Sequence, residues 1–117
     1  MRQAMDEKMT RSIWLNVGYL HDQSFDKRVA LERARRGVEA MGLDWGTIIA
    51  RDRRGPVADT RHMVSKYLRD CGFSYPEIAK ALQRINHTTS VYSVRRCNEL
   101  INLERGYRTK YNKFLNA

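Results

Sequence analysis

The segment from residue 74 to residue 104 constrains the fold most, because its pattern is that of two helices broken by a short polar turn. Ser74 and Glu77 form an S-x-x-E capping box, in which each side chain accepts a hydrogen bond from a backbone amide at a helix start. Pro76 falls in the first turn, where its missing N–H costs little. Three apolar residues follow at helical spacing: Ile78, Ala79 and Leu82. The pattern therefore predicts a short helix here.

A second, longer helix is predicted to begin near His87. Residues 83–85 interrupt the apolar spacing, and Asn86 is a favoured N-cap residue. We expect Arg105 and Gly106 to mark its C-terminus. Its inner face is predicted to hold Val91, Val94, Asn98 and Ile101, with Leu100 close by. The pair would form a helix-turn-helix, a motif that also occurs in many proteins that bind no nucleic acid.

The start of the second helix contains residue types that can contact the bases of DNA. Four residues cluster where such a helix would enter a major groove: Asn86, His87, Thr88 and Thr89. Threonine can bond to bases and touch a thymine methyl group, and asparagine can pair with adenine. Arg95 and Arg96 lie about two turns further on, where phosphates would pass.

The net charge of +9 is concentrated in the same half of the chain. Residues 1–50 contain eight basic and seven acidic side chains, whereas residues 51–117 contain fourteen and six. Such an asymmetry favours a polyanionic partner, more often nucleic acid than an anionic membrane surface.

Catalytic and metal-binding patterns are missing from the sequence. The three histidines are dispersed, Cys71 and Cys97 are far apart, and no phosphate-binding loop of the G-x-x-x-x-G-K-[ST] type occurs. We expect both cysteines to be small core residues. No stretch has the length of a membrane span or the apolar core of a signal peptide. The sequence therefore predicts a cytoplasmic, nucleoid-associated protein without enzymatic activity, cofactor or membrane partner.

The remaining segments complete an all-α prediction, a compact helical bundle. Residues 1–24 form an N-terminal extension of unknown role, with Trp14 and Tyr19 available for packing or for a protein partner. Asp26 is predicted to cap a helix that runs to Met41, and Asp44 to cap a short one. Residues 25–106 form the predicted helix-turn-helix domain, in which residues 57–71 are a further helix. Residues 107–117 form a basic, aromatic tail that could extend a helix, follow a phosphate backbone or hold a partner.

Four arginines occupy the eleven positions from 51 to 61, on both sides of a Gly-Pro pair that breaks the chain. With this loop, the sequence resembles the C-terminal duplex-binding domain of the bacterial replication initiator DnaA, of the Trp-repressor-like type, from about Val38 to Leu100. The matching residues are Arg51, Arg53, Arg54, Val57, Ala58, Arg61, Tyr67, Leu68, Pro76, Glu77, Ile78, His87, Thr88, Thr89, Arg95 and Arg96.

The resemblance implies that Arg53 reads a minor groove and that Arg61 holds a phosphate. The resemblance implies that the chain binds DNA but does not open a replication origin, because the chain has no room for an ATPase domain. Asn86 stands where the family usually has aspartate, Ser90 replaces an aliphatic residue, and the turn lacks the family's glycines. The preferred DNA box is therefore expected to differ from that of the family.

The sequence thus predicts a sequence-preferring binder of double-stranded DNA, a regulator of transcription or replication that a phage or plasmid could encode. The predicted base contacts are Arg53, Asn86, His87, Thr88 and Thr89. The predicted phosphate contacts are Arg51, Arg54, Arg61, Lys66, Arg95 and Arg96. Two alternatives stay open: a protein interaction module that uses residues 1–24 to bind a partner or itself, and a DNA-packaging or recombination accessory protein that forms a multimer.

Overall fold

The computed structural model describes residues 23–117, which form six helices and contain no strand. The helices are α1 (Gln23–Ala40), α2 (Trp45–Ile49), α3 (Gly55–Asp70), α4 (Tyr75–Ala81), α5 (Thr88–Leu103) and α6 (Arg105–Leu115). The predicted all-α bundle is confirmed over this range. The predicted extension 1–24, with Trp14 and Tyr19, lies almost wholly outside the described residues.

Helix α3 is the centre of the bundle, since it packs against α1, α2, α4 and α5. Its buried stripe includes Met63, Val64 and Leu68, which recur at the spacing of one helical face. The stripe meets α1 through Val38 and α4 through Ile78, and all five side chains are almost inaccessible to solvent. No helix within residues 23–117 is long and apolar enough to cross a membrane.

Two predicted helix starts are confirmed by their hydrogen bonds. Ser74 Oγ accepts from the Glu77 amide at 3.2 Å, and Glu77 Oε1 accepts from the Ser74 amide at 2.8 Å, so α4 begins with the predicted capping box. Asp44 Oδ1 accepts from the Thr47 amide at 2.8 Å and caps α2. The predicted cap at Asp26 is wrong, because α1 begins at Gln23 and Asp26 lies inside its first turn. Local capping patterns mark a start only when no residue before them continues the helix.

The C-terminal residues 105–115 form a helix of the core, which decides between the alternatives left open for the tail. Tyr107, Tyr111 and Phe114 recur at helical spacing and are all buried among α1, α3 and α5. Tyr107 also donates a hydrogen bond to the Asp59 carbonyl of α3 at 2.9 Å. The helical domain therefore continues past the predicted boundary at residue 106.

Helix α5 ends earlier than predicted and buries a different face. Glu104 is extended, with φ −127° and ψ 112°, and separates α5 from α6, so Gly106 lies in the first turn of α6 and ends no helix. Asn98, predicted to face inward, is exposed, while the buried side chains are Ser90, Ser93, Val94, Cys97 and Leu100. Cys97 is buried as predicted, but Cys71 is exposed at the end of α3.

Candidate nucleic-acid interface

The start of α5 presents its polar side chains to solvent. Asn86, His87, Thr88 and Thr89 are all exposed. Asn86 Oδ1 accepts from the Thr88 amide at 2.8 Å, so the predicted bond from Asn86 is present, but the N-cap position itself is His87, one residue later than predicted. This bond fixes the orientation of the Asn86 side chain and satisfies one of the amides that a helix start leaves without an intrahelical partner.

The turn before α5 folds without the glycines of the resembling family. Gln83 takes their place and has φ 56°, in the left-handed region that non-glycine residues rarely adopt. The Arg84 amide then donates to the Ala79 carbonyl at 2.7 Å and closes the end of α4. Ile85 projects fully into solvent. The sequence contained no signal for the backbone conformation at Gln83, since glutamine does not favour it.

The arginine loop, residues 50–54, lies between α2 and α3 and exposes Arg51, Arg53 and Arg54. Asp52 accepts from both the amide and the Nε of Arg54 at 3.0 Å, and the two residues form a salt bridge. Hydrogen bonds from the Arg54 side chain and amide lower the pKa of Asp52 to about 2. Asp52 therefore stays ionised at neutral pH and offsets the charge of Arg54.

Two arginines from other elements hold this loop at the C-terminus of α2. Arg61 of α3 donates through Nε to the Ile48 carbonyl at 2.8 Å and through Nη2 to the Asp52 carbonyl at 3.0 Å. Arg84 donates through Nη1 to the Ile49 carbonyl at 3.0 Å. Burial is the main cause that lowers the pKa of each arginine, and the charge of Arg84 adds to the effect at Arg61. Both stay protonated, because arginine does not lose its charge in proteins.

A cleft of about 450 Å³ separates the arginine loop from the start of α5. Arg51, Arg53 and Arg61 line it on the side of the loop and α3, and Asn86 and Thr89 line it on the side of α5. The fold thus brings together five of the predicted DNA-contacting residues, which are up to 38 positions apart in the chain. His87 and Thr88 lie between Asn86 and Thr89 and do not line the cleft.

The lining of the cleft also includes His62 of α3. His62 is half-buried, with Nδ1 3.1 Å from Ser93 Oγ and its ring edge-on to Tyr92 at 5.9 Å between centroids. Burial lowers the pKa of His62, and the nearby Asp59 carboxylate opposes that effect in part. The residues next to His62 in the sequence gave no signal of this burial, because its partners are 30 and 31 positions away.

The other predicted phosphate residues lie outside the cleft lining. Lys66 is mostly buried and pairs with Asp70 at 3.1 Å, and Arg96 pairs with Glu99 at 3.2 Å. Arg95 is exposed on α5. An ion pair lowers the net positive charge that a side chain presents, so Lys66 and Arg96 are less available to a polyanion than Arg95.

Comparisons of the chain with protein-family models, with curated proteins and with solved structures found no match. The resemblance to the DnaA duplex-binding domain stays a prediction from the residues that carry it.

Proposed function

We propose that this chain binds double-stranded DNA with a sequence preference. The observation that carries the proposal is the shared cleft, in which Arg51 and Arg53 face Asn86 and Thr89. A polar helix start beside a cationic loop suits a protein that reads a major groove and the neighbouring minor groove. Both surfaces are exposed, so a duplex could reach them without refolding of the domain.

Helix α5 would read the major groove with its first turn. Thr88 and Thr89 offer hydroxyl and methyl groups to base edges, and His87 lies beside them. The capping bond orients Asn86 so that its Nδ2 donor is left for a base acceptor. Since aspartate at this position could only accept, Asn86 would favour a different base from the one that the resembling family reads.

The arginine loop would follow the backbone into the adjacent minor groove, with Arg53 inside it. A narrow, A·T-rich minor groove has an enhanced negative potential that attracts arginine. Arg51 would contact a phosphate directly, whereas Arg54 would contribute less because of its pairing with Asp52. Arg61 uses Nε on the Ile48 carbonyl of α2 and Nη2 on the Ala50 and Asp52 carbonyls of the loop, so a phosphate contact there would need its Nη1 nitrogen.

The salt dependence of binding separates two versions of this interface. If all six predicted phosphate residues contact DNA, the slope of log K against log salt is about −5. If only Arg51, Arg61 and Arg95 do so, because the others are paired with carboxylates, the slope is about −3. The observed ion pairs favour the shallower slope.

The experiment is fluorescence anisotropy over a salt series on a duplex with a TTATCCACA-type box, the kind that the resembling family reads, beside a scrambled duplex. We expect at least a tenfold preference for one defined box, found by selection from random duplexes if the first box fails. If the chain binds every duplex equally and with a steep salt dependence, it is a general DNA-binding protein without a sequence preference. Lack of binding to any duplex at low salt would refute the proposal and direct attention to residues 1–24.

A further inference from the structure

Arg84 connects the two surfaces that the proposed function requires. It lies in the turn between α4 and α5, two residues before Asn86, and its guanidinium reaches the end of α2. Nη1 donates to the Ile49 carbonyl at 3.0 Å, and Nη2 donates to the Ala50 carbonyl at 3.0 Å. The arginine loop begins at Ala50 and carries Arg53 three residues later.

Arg84 shares these carbonyls in part with Arg61, whose Nη2 donates to the Ala50 carbonyl at 3.2 Å, whereas the Ile49 carbonyl accepts from Arg84 and from no other side chain of the described residues. Helix α2 has only five residues, and the last carbonyls of a helix lack intrahelical donors. A helix of that length is unstable by itself, and a cation at its C-terminus stabilises it by hydrogen bonding and through the helix dipole. Arg61 supplies one such cation from α3, and Arg84 supplies the other from the turn before α5.

We infer that Arg84 is a positioning residue, which holds the arginine loop at a set distance from the start of α5 so that both can engage one duplex together. The inference rests on the proposed function, and it assigns to Arg84 a role through other residues instead of a contact with DNA. A duplex offers the two grooves at a set spacing, so a loop that drifted from α5 would lose the joint contact. Arg84 was absent from the residues predicted from sequence, because its partners lie about 35 positions away.

The competing explanation for Arg84 is that it attracts phosphate by its charge alone. Arg84→Lys separates the two, because lysine keeps the charge but lacks the planar fork that donates to two carbonyls at once. Lys80→Gln is the matched control. Lys80 is exposed on the neighbouring helix α4, and this variant removes one positive charge without touching the α2 carbonyls.

The experiment is a double-mutant cycle between Arg84→Lys and Arg53→Ala, with Lys80→Gln as a second background, read by anisotropy on the selected duplex. In the wild-type and Lys80→Gln backgrounds, we expect Arg53→Ala to weaken binding about tenfold. In the Arg84→Lys background, the same change should weaken binding less than threefold, because the loop is already out of place. Melting temperatures of all variants establish that the proteins are folded at the temperature of measurement.

Equal tenfold losses in every background would overturn the inference, and so would wild-type affinity in Arg84→Lys. Amide hydrogen exchange tests the positioning without DNA. Arg84→Lys should speed exchange at the Ala50 and Arg54 amides, which bond to Gly46 and Asp52, relative to Lys80→Gln. If the wild type binds no duplex but Arg84→Lys shows this faster exchange, the proposed function is refuted and the role of Arg84 in holding the loop stands. If exchange is unchanged in Arg84→Lys, the positioning role is refuted.

Discussion

The imidazole of His62 on α3 and the hydroxyl of Ser93 on α5 lie in hydrogen-bond contact, with Nδ1 and Oγ 3.1 Å apart. The contact joins the two most extensively packed helices of the bundle at the inner part of the cleft. The contact contributes to the packing of α5 against α3.

The stability of the domain should fall as the pH drops below about 6.5. Burial lowers the pKa of His62 in the folded chain below its ordinary value of 6.5, so the unfolded chain binds the proton more readily. The contribution of neutral His62 is complete above pH 6.5 and is lost as pH falls toward the lowered pKa. Urea unfolding between pH 5 and 7.5 should show a steeper dependence for the wild type than for His62→Gln. Asp52 and Glu77, with pKa values of about 2, act only in more acidic solution.

Ser90→Ala should stabilise the domain by about 1 kcal/mol. Ser90 Oγ is buried and lacks a hydrogen-bond partner within the described residues, and an unsatisfied buried hydroxyl costs about 1 to 3 kcal/mol. Ser93→Ala is the matched change on the same helix, and it should destabilise by about 1 kcal/mol through loss of the His62 bond. Urea midpoints measure both. A loss of stability in Ser90→Ala would show that its hydroxyl does have a partner.

Gly37→Ala should destabilise the domain by about 1 to 3 kcal/mol through overpacking. A Cβ at Gly37 of α1 would lie 2.6 Å from the ring of Phe114 in α6, so the ring or the helix would have to move. Gly106→Ala is the opposite case, because nothing lies within 4 Å of a Cβ there and alanine is a better helix former than glycine. Thermal unfolding should therefore lower the melting temperature of the first variant and raise that of the second. Equal effects would mean that α6 does not pack on α1 as described.

Thr88→Ala and Arg96→Ala should affect DNA binding in different ways under the proposed function. Loss of Thr88 should relax base preference at a cost of about 1 to 3 kcal/mol on the preferred duplex. Loss of Arg95 should weaken binding to all duplexes alike and flatten the salt slope by about one unit, and loss of Arg96 should have the same kind of effect at a smaller size. The pairing of Arg96 with Glu99 makes the Arg96 effect smaller than that of Arg95→Ala. Fluorescence anisotropy on the preferred and scrambled duplexes measures the affinity of all three variants. Identical behaviour of the threonine and arginine variants would show that the assignment of Thr88 to bases and of the arginines to phosphates is wrong.

The elements that the sequence predicted best were those determined by neighbours in the chain. The capping box of Ser74 and Glu77, the cap at Asp44 and the bond from the Thr88 amide to Asn86 are contacts over two or three residues, and all are present. The end of α1 before Gly42, which has φ +82°, follows from the same local chemistry.

The face that a residue presents was predicted less accurately, because it depends on what packs against the helix. From the sequence, Tyr107, Tyr111 and Phe114 could equally have followed a phosphate backbone. In the folded domain they pack into the core that α1 and α3 also form. His62 had no local signal of burial, since its contacts are 30 and 31 positions away.

By itself, the sequence determined the helical class, most of the helix starts and the residue types that suit a nucleic-acid interface, because caps, periodicity and charge act over a few residues. Only the tertiary structure decided that the arginine loop lies across a cleft from the start of α5, and that Arg61 and Arg84 hold the loop there. The physical reason is that a guanidinium lies several bonds from its own backbone and can donate to any carbonyl within its reach. Which carbonyls those are depends on how the helices pack around α3.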